Sequence, residues 1–480
     1  MQFNMSGFDT STSKMAFVAT LVIVVVAAFG VGLLTGQDES IALYAVLGIG
    51  IFIFAFLNMD FALSVLILSM LLSPEFGNNT AHGADRGVVI RIDDLILGLI
   101  TASTMMRVAI YKDLGMFIRT PLNRPIFIYL GLSLLATFIG IFNGDVRPLV
   151  GILYNVKYLQ YFLIFLMVAS HVKDLKTLNR YLFVMIFTAI AVSLYAIAQI
   201  PSGVRVSAPF EGEAGEANTL GGYLVIMMMM VFGILTGTKT AGKQSRLALL
   251  LVLMGVPFLY TLSRSSWISI LPGIIIFTVL SEKRKNIIVA VLILLVTVPF
   301  LLPSAVYERF EYTFSMDNTL RTDVVELGDT ALDPSTSARI ISWSSTIEQW
   351  MEKPVFGWGV TGAGFKDAQY FRVLAETGMA GFVAFMLLMV AIHKMGYGIL
   401  KQINEKKYPI YYGIVVGYIA GFWGLLVHAI GANTFIIVRI MEPFWFFTGL
   451  IILLPDLLKQ EEEKKKLLGD DTPLKELSAS

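Results

Sequence analysis

The sequence predicts an all-α, polytopic membrane helix bundle of about 14 transmembrane helices, with one large outer loop containing an amphipathic helix. Three observations predict it. The 480-residue chain is 56% hydrophobic and only 15% charged, too apolar to furnish a soluble surface of this size. Apolar runs of about 20 residues recur along its length, each long enough to cross a bilayer. Basic residues fall more densely in alternate connecting segments, as the positive-inside rule requires.

Composition also limits the chemistry. The chain has no cysteine, so disulfides and thiolate metal sites are excluded. Its four histidines, His82, His171, His393 and His428, show no metal-ligand spacing. A net charge of +1 gives no reason to expect a nucleic-acid partner.

The first apolar run, 15–34, follows Lys14 and is too long for a signal-peptide core. No small-residue cleavage site follows it, so it predicts a retained first helix. Runs at 41–57, 60–73, 88–108, 126–142, 150–169, 181–200, 217–236, 246–262, 265–280 and 287–302 complete a first block of helices in residues 1–302. The second and third are short and meet at Asn58-Met59-Asp60, so a shallow hairpin is an alternative to two full crossings. Residues 303–376 form the outer loop. Runs at 377–394, 409–430 and 438–455 make a second block, and 456–480, with its EEEKKK segment, is a solvated tail.

With the N-terminus inside, 23 of the 36 basic residues lie on the inner side and 12 on the outer. Lysine dominates inside, whereas ten of the outer 12 are arginines, the exceptions being Lys353 and Lys366. Both termini are then cytoplasmic. Arginine suits contacts to phosphate or sugar, because its planar fork matches oxyanions. Chance placement is the plainer explanation. Within the outer loop, Ile340, Trp343, Ile347 and Trp350 repeat at helical spacing over 335–351. Ser335, Thr336 and Ser337 offer caps after Pro334, and Pro354 ends the pattern. Such a helix could lie on the membrane or over the mouth of the bundle. The glycine-rich FGWGVTGAGF follows.

Two outer arginines carry the strongest signal. Arg264 sits in TLSRSSW, a tight turn between apolar spans, and Arg205 opens RVSAPFEGEAGEANTLGGYL. A guanidinium beside the bilayer is costly without a partner. Asn218 starts the next helix, whose free N–H groups favour an anion. The plainer reading has Glu211, Glu213 and Glu216 neutralising Arg205 and Asn218 acting as a cap; for Arg264 it is a snorkelling side chain. Arg339 and Arg372 flank the outer loop. Asp367 and Glu376 are candidates to receive a proton from a sugar hydroxyl. Against this, Asp367 could cap a helix and Glu376 could pair with Arg372 four residues back. Tyr370 lies between them. Lys157, in YNVKYLQYF, lies about two turns below the outer surface, where it could snorkel. Arg91 with Asp93 and Asp94 reads as a self-satisfied pair.

The succession EANTLGGYL, TLSRSSW, ARIISW with FGWG, and DAQYFRVLAETGMAGFVAF resembles the O-antigen ligase and Wzy-type polysaccharide polymerase superfamily. By motif the resemblance covers roughly 200–395, and RIMEPFW near the end is similar to some members. The resemblance implies a GT-C-like, metal-independent glycosyltransferase with no cofactor. It would move a glycan from undecaprenyl pyrophosphate to an acceptor hydroxyl at the periplasmic face of a bacterial inner membrane. It implies catalytic roles for Arg205 and Arg264. Arg339, Tyr370, Arg372, Glu376, Asn218 and Lys157 are the expected substrate contacts. It also implies flippase and chain-length regulator proteins as partners, beside the lipid bilayer.

Where ligases of the superfamily carry His-Asn, this chain has Asp367-Ala368, while Glu376 and Gly378 match. That departure favours a polymerase of exopolysaccharide, capsule or O-antigen repeat units over a ligase to lipid A-core, with Asp367 facing the acceptor. A flippase for lipid-linked glycans would also need arginines and many helices, but with polar groups at the midplane and broken helices in paired halves. A metal-dependent transferase would use Asp38 and Glu39 of the first outer loop, GQDES, which is short for that purpose.

Overall fold

The computed structural model describes residues 39–76, 90–111, 118–211, 216–312, 325–327, 330–364 and 366–468. The expected helix at 15–34, Asp38, Glu213 and the end of the tail lie outside these residues. The order begins α1 (Glu39–Leu57), α2 (Met59–Leu72), α3 (Ile92–Tyr111), α4 (Asn123–Phe142), α5 (Pro148–His171) and α6 (Leu175–Gln199). It continues with α7 (Ala217–Gly237), α8 (Ala241–Tyr260), α9 (Arg264–Leu280) and α10 (Arg284–Leu301). Two loop helices follow, α11 (Ser304–Glu311) and α12 (Pro334–Glu352), then α13 (Gln369–Leu400), α14 (Pro409–Gly431) and α15 (Val438–Leu468). The only extended pairings among the described residues are two-residue bridges, 75–76 with 90–91 and 326–327 with 330–331.

Among the described residues, eight helices are long and apolar enough to cross a membrane: α4 to α8 and α13 to α15. Residues 48–57, α2 and α9 are shorter apolar helices. The predicted total of about 14 takes in these, α3, α10 and the run at 15–34.

Asn58 alone separates α1 from α2, and its side chain accepts from the Phe61 amide at 3.1 Å. At that turn Asp60 meets His171 at the end of α5 and Arg180 and Tyr181 on α6. At the other end of α2 the Leu71 and Ser73 carbonyls accept from Arg439, which opens α15. So α2 reaches from the α5–α6 turn to the start of α15, although its 14 residues are fewer than a full crossing needs.

The centre is the seam between α7 and α14. α7 is buried on nearly every face. On α14, Gly413, Gly417 and Gly421 recur every fourth residue, and a Cβ on Gly413 or Gly417 would strike the α7 backbone. Small residues at this spacing let helices meet backbone to backbone, which is how apolar helices gain contact without a hydrophobic drive. α15 packs against α5, where Trp445 meets Phe162 and Phe165 edge-on.

The outer loop is fastened at α13. Gly378 leaves the helical region at φ 62° and ψ −167°, so α13 is two helices joined by a break. Broken helices leave carbonyls without partners, and the glycine-rich turn supplies them. The Trp358 and Gly359 amides donate to the Ala375 and Glu376 carbonyls at 2.9 and 2.8 Å. A side chain at Gly378 would strike the Val355 backbone.

α12 packs over α13 through Trp343, stacked on Phe371 at 5.1 Å. Its start corrects the expected caps. The Asp333 carbonyl accepts from the Thr336 and Ser337 amides, and Thr336 Oγ1 donates to Asp333 Oδ2 at 2.6 Å. Ser337 Oγ is engaged elsewhere, accepting from the Val325 amide.

Candidate active site

One end of the bundle gathers the loop before α7, the turn between α8 and α9, the outer loop and the segment between α14 and α15. Gly203, at φ 74°, ends the short turn after α6 and sends the chain back across the end of α8. There the Val206 amide donates to the Tyr260 carbonyl, and Arg205 Nε donates to the Thr261 carbonyl at 2.9 Å. The rest of the Arg205 guanidinium is open, and it makes no ion pair among the described residues. Partial loss of water, then the charges of Arg309, Arg339 and Arg264, lower its pKa to about 10. Glu211 does not neutralise it. That carboxylate lies 3.9 Å from Arg439 instead.

Arg264 is the first residue of α9. Its fork is occupied: Nη1 and Nη2 reach Asp333 Oδ2 and Oδ1 at 2.5 and 2.9 Å. The two side chains are only 13% and 1% exposed. Burial pushes the Asp333 carboxyl up, but hydrogen bonds from Arg264 and Thr336 and the charges of Arg264 and Arg309 outweigh it and hold it at about 2. Arg309 on α11 completes the group. Burial lowers its pKa, and so does Arg264. On α12, Arg339 Nε lies 3.6 Å from Asp367 Oδ2. Asp367 therefore has an arginine partner and does not cap α13, whose cap position is Ala368. Next to it Lys366 is buried, which lowers its pKa.

Four arginines from four elements thus lie within one another's fields, with Asp333 and Asp367 as their paired acids. Like charges this close raise the free energy of the site until an anion enters. A group carrying two or more negative charges suits it.

Asn218 joins this site differently from expectation. α7 starts at Ala217 after Glu216, so Asn218 is already inside the helix. Its Oδ1 accepts from Ser263 Oγ at 2.7 Å, and Glu216 holds the cap position instead. Ser263 itself caps α9, accepting from the Ser266 amide.

The other expected contacts serve the framework around the site. Arg372 Nε holds Glu376 Oε1 at 3.1 Å, and both side chains are buried. The same oxygen accepts from the Thr361 amide at 3.0 Å, so Glu376 closes the glycine-rich turn. Arg372 also lies over the Tyr154 ring. Tyr370 donates to the Leu426 carbonyl at 2.6 Å. Lys157 donates to both oxygens of Asp94, at 3.2 and 2.9 Å. That pair belongs to a second polar group, with Arg91 Nε 3.4 Å from Asp93 and Glu442 fully buried.

Sequence reasoning missed Arg309, Asp333 and His428. Arg309 and Asp333 stood in a loop with no periodic pattern around them. His428 stood out only as one of four histidines without metal-ligand spacing; its buried ring meets Ser266 Oγ at 3.1 Å. Among the described residues no group of three or more histidine or acidic side chains is placed to hold a metal ion.

Residues 249–386 match the family model described as O-antigen ligase. The matched stretch carries Arg264, Asp333, Arg339, Asp367 and Glu376, and it supports the resemblance to the O-antigen ligase and Wzy-type superfamily. No curated protein matches the chain significantly.

Proposed function

With the O-antigen ligase and Wzy-type superfamily as the premise, we propose that this chain is a membrane glycosyltransferase acting on a lipid-pyrophosphate-linked glycan. The observation that carries this is the group of Arg205, Arg264, Arg309 and Arg339. In the proposed reaction an acceptor sugar hydroxyl attacks the anomeric carbon of the donor glycan. The bond from that carbon to the pyrophosphate oxygen breaks, and its electron pair leaves with the lipid pyrophosphate. The hydroxyl proton passes to Asp367 or to the departing phosphate.

Charge grows on the leaving oxygen in the transition state, and fixed cations there lower the barrier. Arg205 is the most exposed of the four, and beyond Nε its fork makes no hydrogen bond among the described residues, so it is the cation assigned to receive that charge. Arg264 contributes its charge while it ties α12 to α9 through Asp333. A carboxylate is in general a weak base near neutral pH, so orienting the acceptor is the larger contribution assigned to Asp367, 3.6 Å from Arg339 Nε. Arginines supply the positive charge that a metal ion would otherwise bring, so the reaction is proposed to be metal-independent.

The pattern at Asp367-Ala368 favours polymerisation of exopolysaccharide, capsule or O-antigen repeat units. In that setting the donor is undecaprenyl pyrophosphate-linked, and the site faces the periplasm from about 14 crossings with both termini cytoplasmic. A flippase and a chain-length regulator are the protein partners of such a polymerase. The test is to supply purified protein in liposomes with lipid-linked repeat units alone. A ladder of longer lipid-linked glycans is expected. Transfer that begins only when lipid A-core is added would reassign the chain as a ligase.

A further inference from the structure

A chain of buried side chains runs from the core to Asn218, and its hydrogen bonds have one direction. Asn218 Oδ1 can only accept, and it takes the Ser263 hydroxyl proton at 2.7 Å. Ser263 Oγ in turn accepts from Ser266 Oγ at 2.8 Å. With its proton engaged there, Ser266 Oγ accepts from His428 Nε2, 3.1 Å away. The ring thus carries its proton on Nε2, and Nδ1 accepts from the Thr434 hydroxyl at 2.7 Å. Every donor points toward Asn218, an arrangement in which each bond polarises the next.

The sequence makes room for this chain. Gly221 and Gly222 on α7 face it: a Cβ on Gly221 would overlap Ser266 Oγ, and one on Gly222 would stand 3.2 Å from His428 Cε1. The chain fixes the carbonyl side of the Asn218 amide. Its Nδ2 group makes no hydrogen bond among the described residues, and the side chain is half-buried beside the cap of the helix that Arg264 opens.

We propose that His428 is a positioning residue: through Ser266 and Ser263 it holds the Asn218 amide so that its two N–H groups bind the pyrophosphate of the lipid-linked donor. This rests on the functional reading above. Polar side chains between membrane helices also act as simple glue, so the test must separate the two roles.

The experiment measures binding of undecaprenyl pyrophosphate to the full chain in nanodiscs, together with thermal stability. Asn218→Ala and Ser266→Ala are each expected to weaken binding about tenfold, the scale of one hydrogen bond to a charged group. The Asn218→Ala/Ser266→Ala double variant should bind no more weakly than Asn218→Ala, because both changes remove the same contact. His428→Gln, which keeps a donor for Ser266, should retain most of the affinity that His428→Leu loses. Multiplying effects in the double variant, or a lower Tm with unchanged binding in Ser266→Ala, would overturn the positioning role alone. No binding by the unaltered protein would overturn the functional reading and this inference with it.

Discussion

Arg205 and Arg264 read alike in the sequence but do different work. Arg205 uses only Nε internally, while Arg264 gives both forks to Asp333. Arg205→Lys is therefore expected to cut donor turnover by about 10²-fold, the scale of one lost charge-stabilising contact, with insertion and Tm unchanged. Wild-type turnover in that variant would remove Arg205 from the leaving-group site. Asp367→Asn keeps size and one acceptor oxygen but loses the charge facing Arg339. An orienting role predicts a loss of about tenfold or less, whereas a base predicts about 10²–10⁴-fold. Initial rates with saturating donor distinguish them. The outer arginines were visible in the sequence because guanidinium groups are rare beside apolar runs. The partnership of Arg264 with Asp333 was not, since 69 positions separate them and only the folded loop brings them together.

At the scale of elements, the outer loop depends on two devices. The first is the Arg264–Asp333 pair at the start of α12. Asp333 has a folded pKa of about 2, below its ordinary 3.8. A depressed carboxylate contributes stability above its unfolded pKa and loses it as pH falls through the folded value. Pepsin cleavage within α12 should thus stay slow at pH 4 and quicken toward pH 2. Asp333→Asn should be cut quickly throughout that range, and equal cleavage of the two proteins would dismiss the pair as an anchor. The second device is the break at Gly378. Its φ of 62° with ψ −167° is a conformation that only glycine adopts readily. Gly378→Ala is expected to destabilise the protein by about 1–3 kcal/mol, read as a lower Tm, and an unchanged Tm would contradict the strain argument. The amphipathic pattern of α12 was legible from its apolar spacing. The break inside α13 was not, because its cause is the glycine-rich turn packed against it.

Over the whole molecule, hydropathy located the described helices well, because a bilayer demands long apolar runs with internally satisfied backbones. It could not tell which helices meet. The α7–α14 seam follows from glycines whose spacing matters only once two backbones approach. The buried polar groups around Glu442 and His428 were likewise hidden, since their partners lie on distant helices. The central claim for the assembled bundle is that its arginines receive a leaving pyrophosphate without a metal ion. The most direct test incubates purified protein with a synthetic undecaprenyl-pyrophosphate-linked glycan and an acceptor in EDTA, without nucleotide sugar or ATP. The account predicts one free undecaprenyl pyrophosphate for each new glycosidic bond. Product that appears only when magnesium or manganese is restored, or no lipid pyrophosphate release at all, would contradict it.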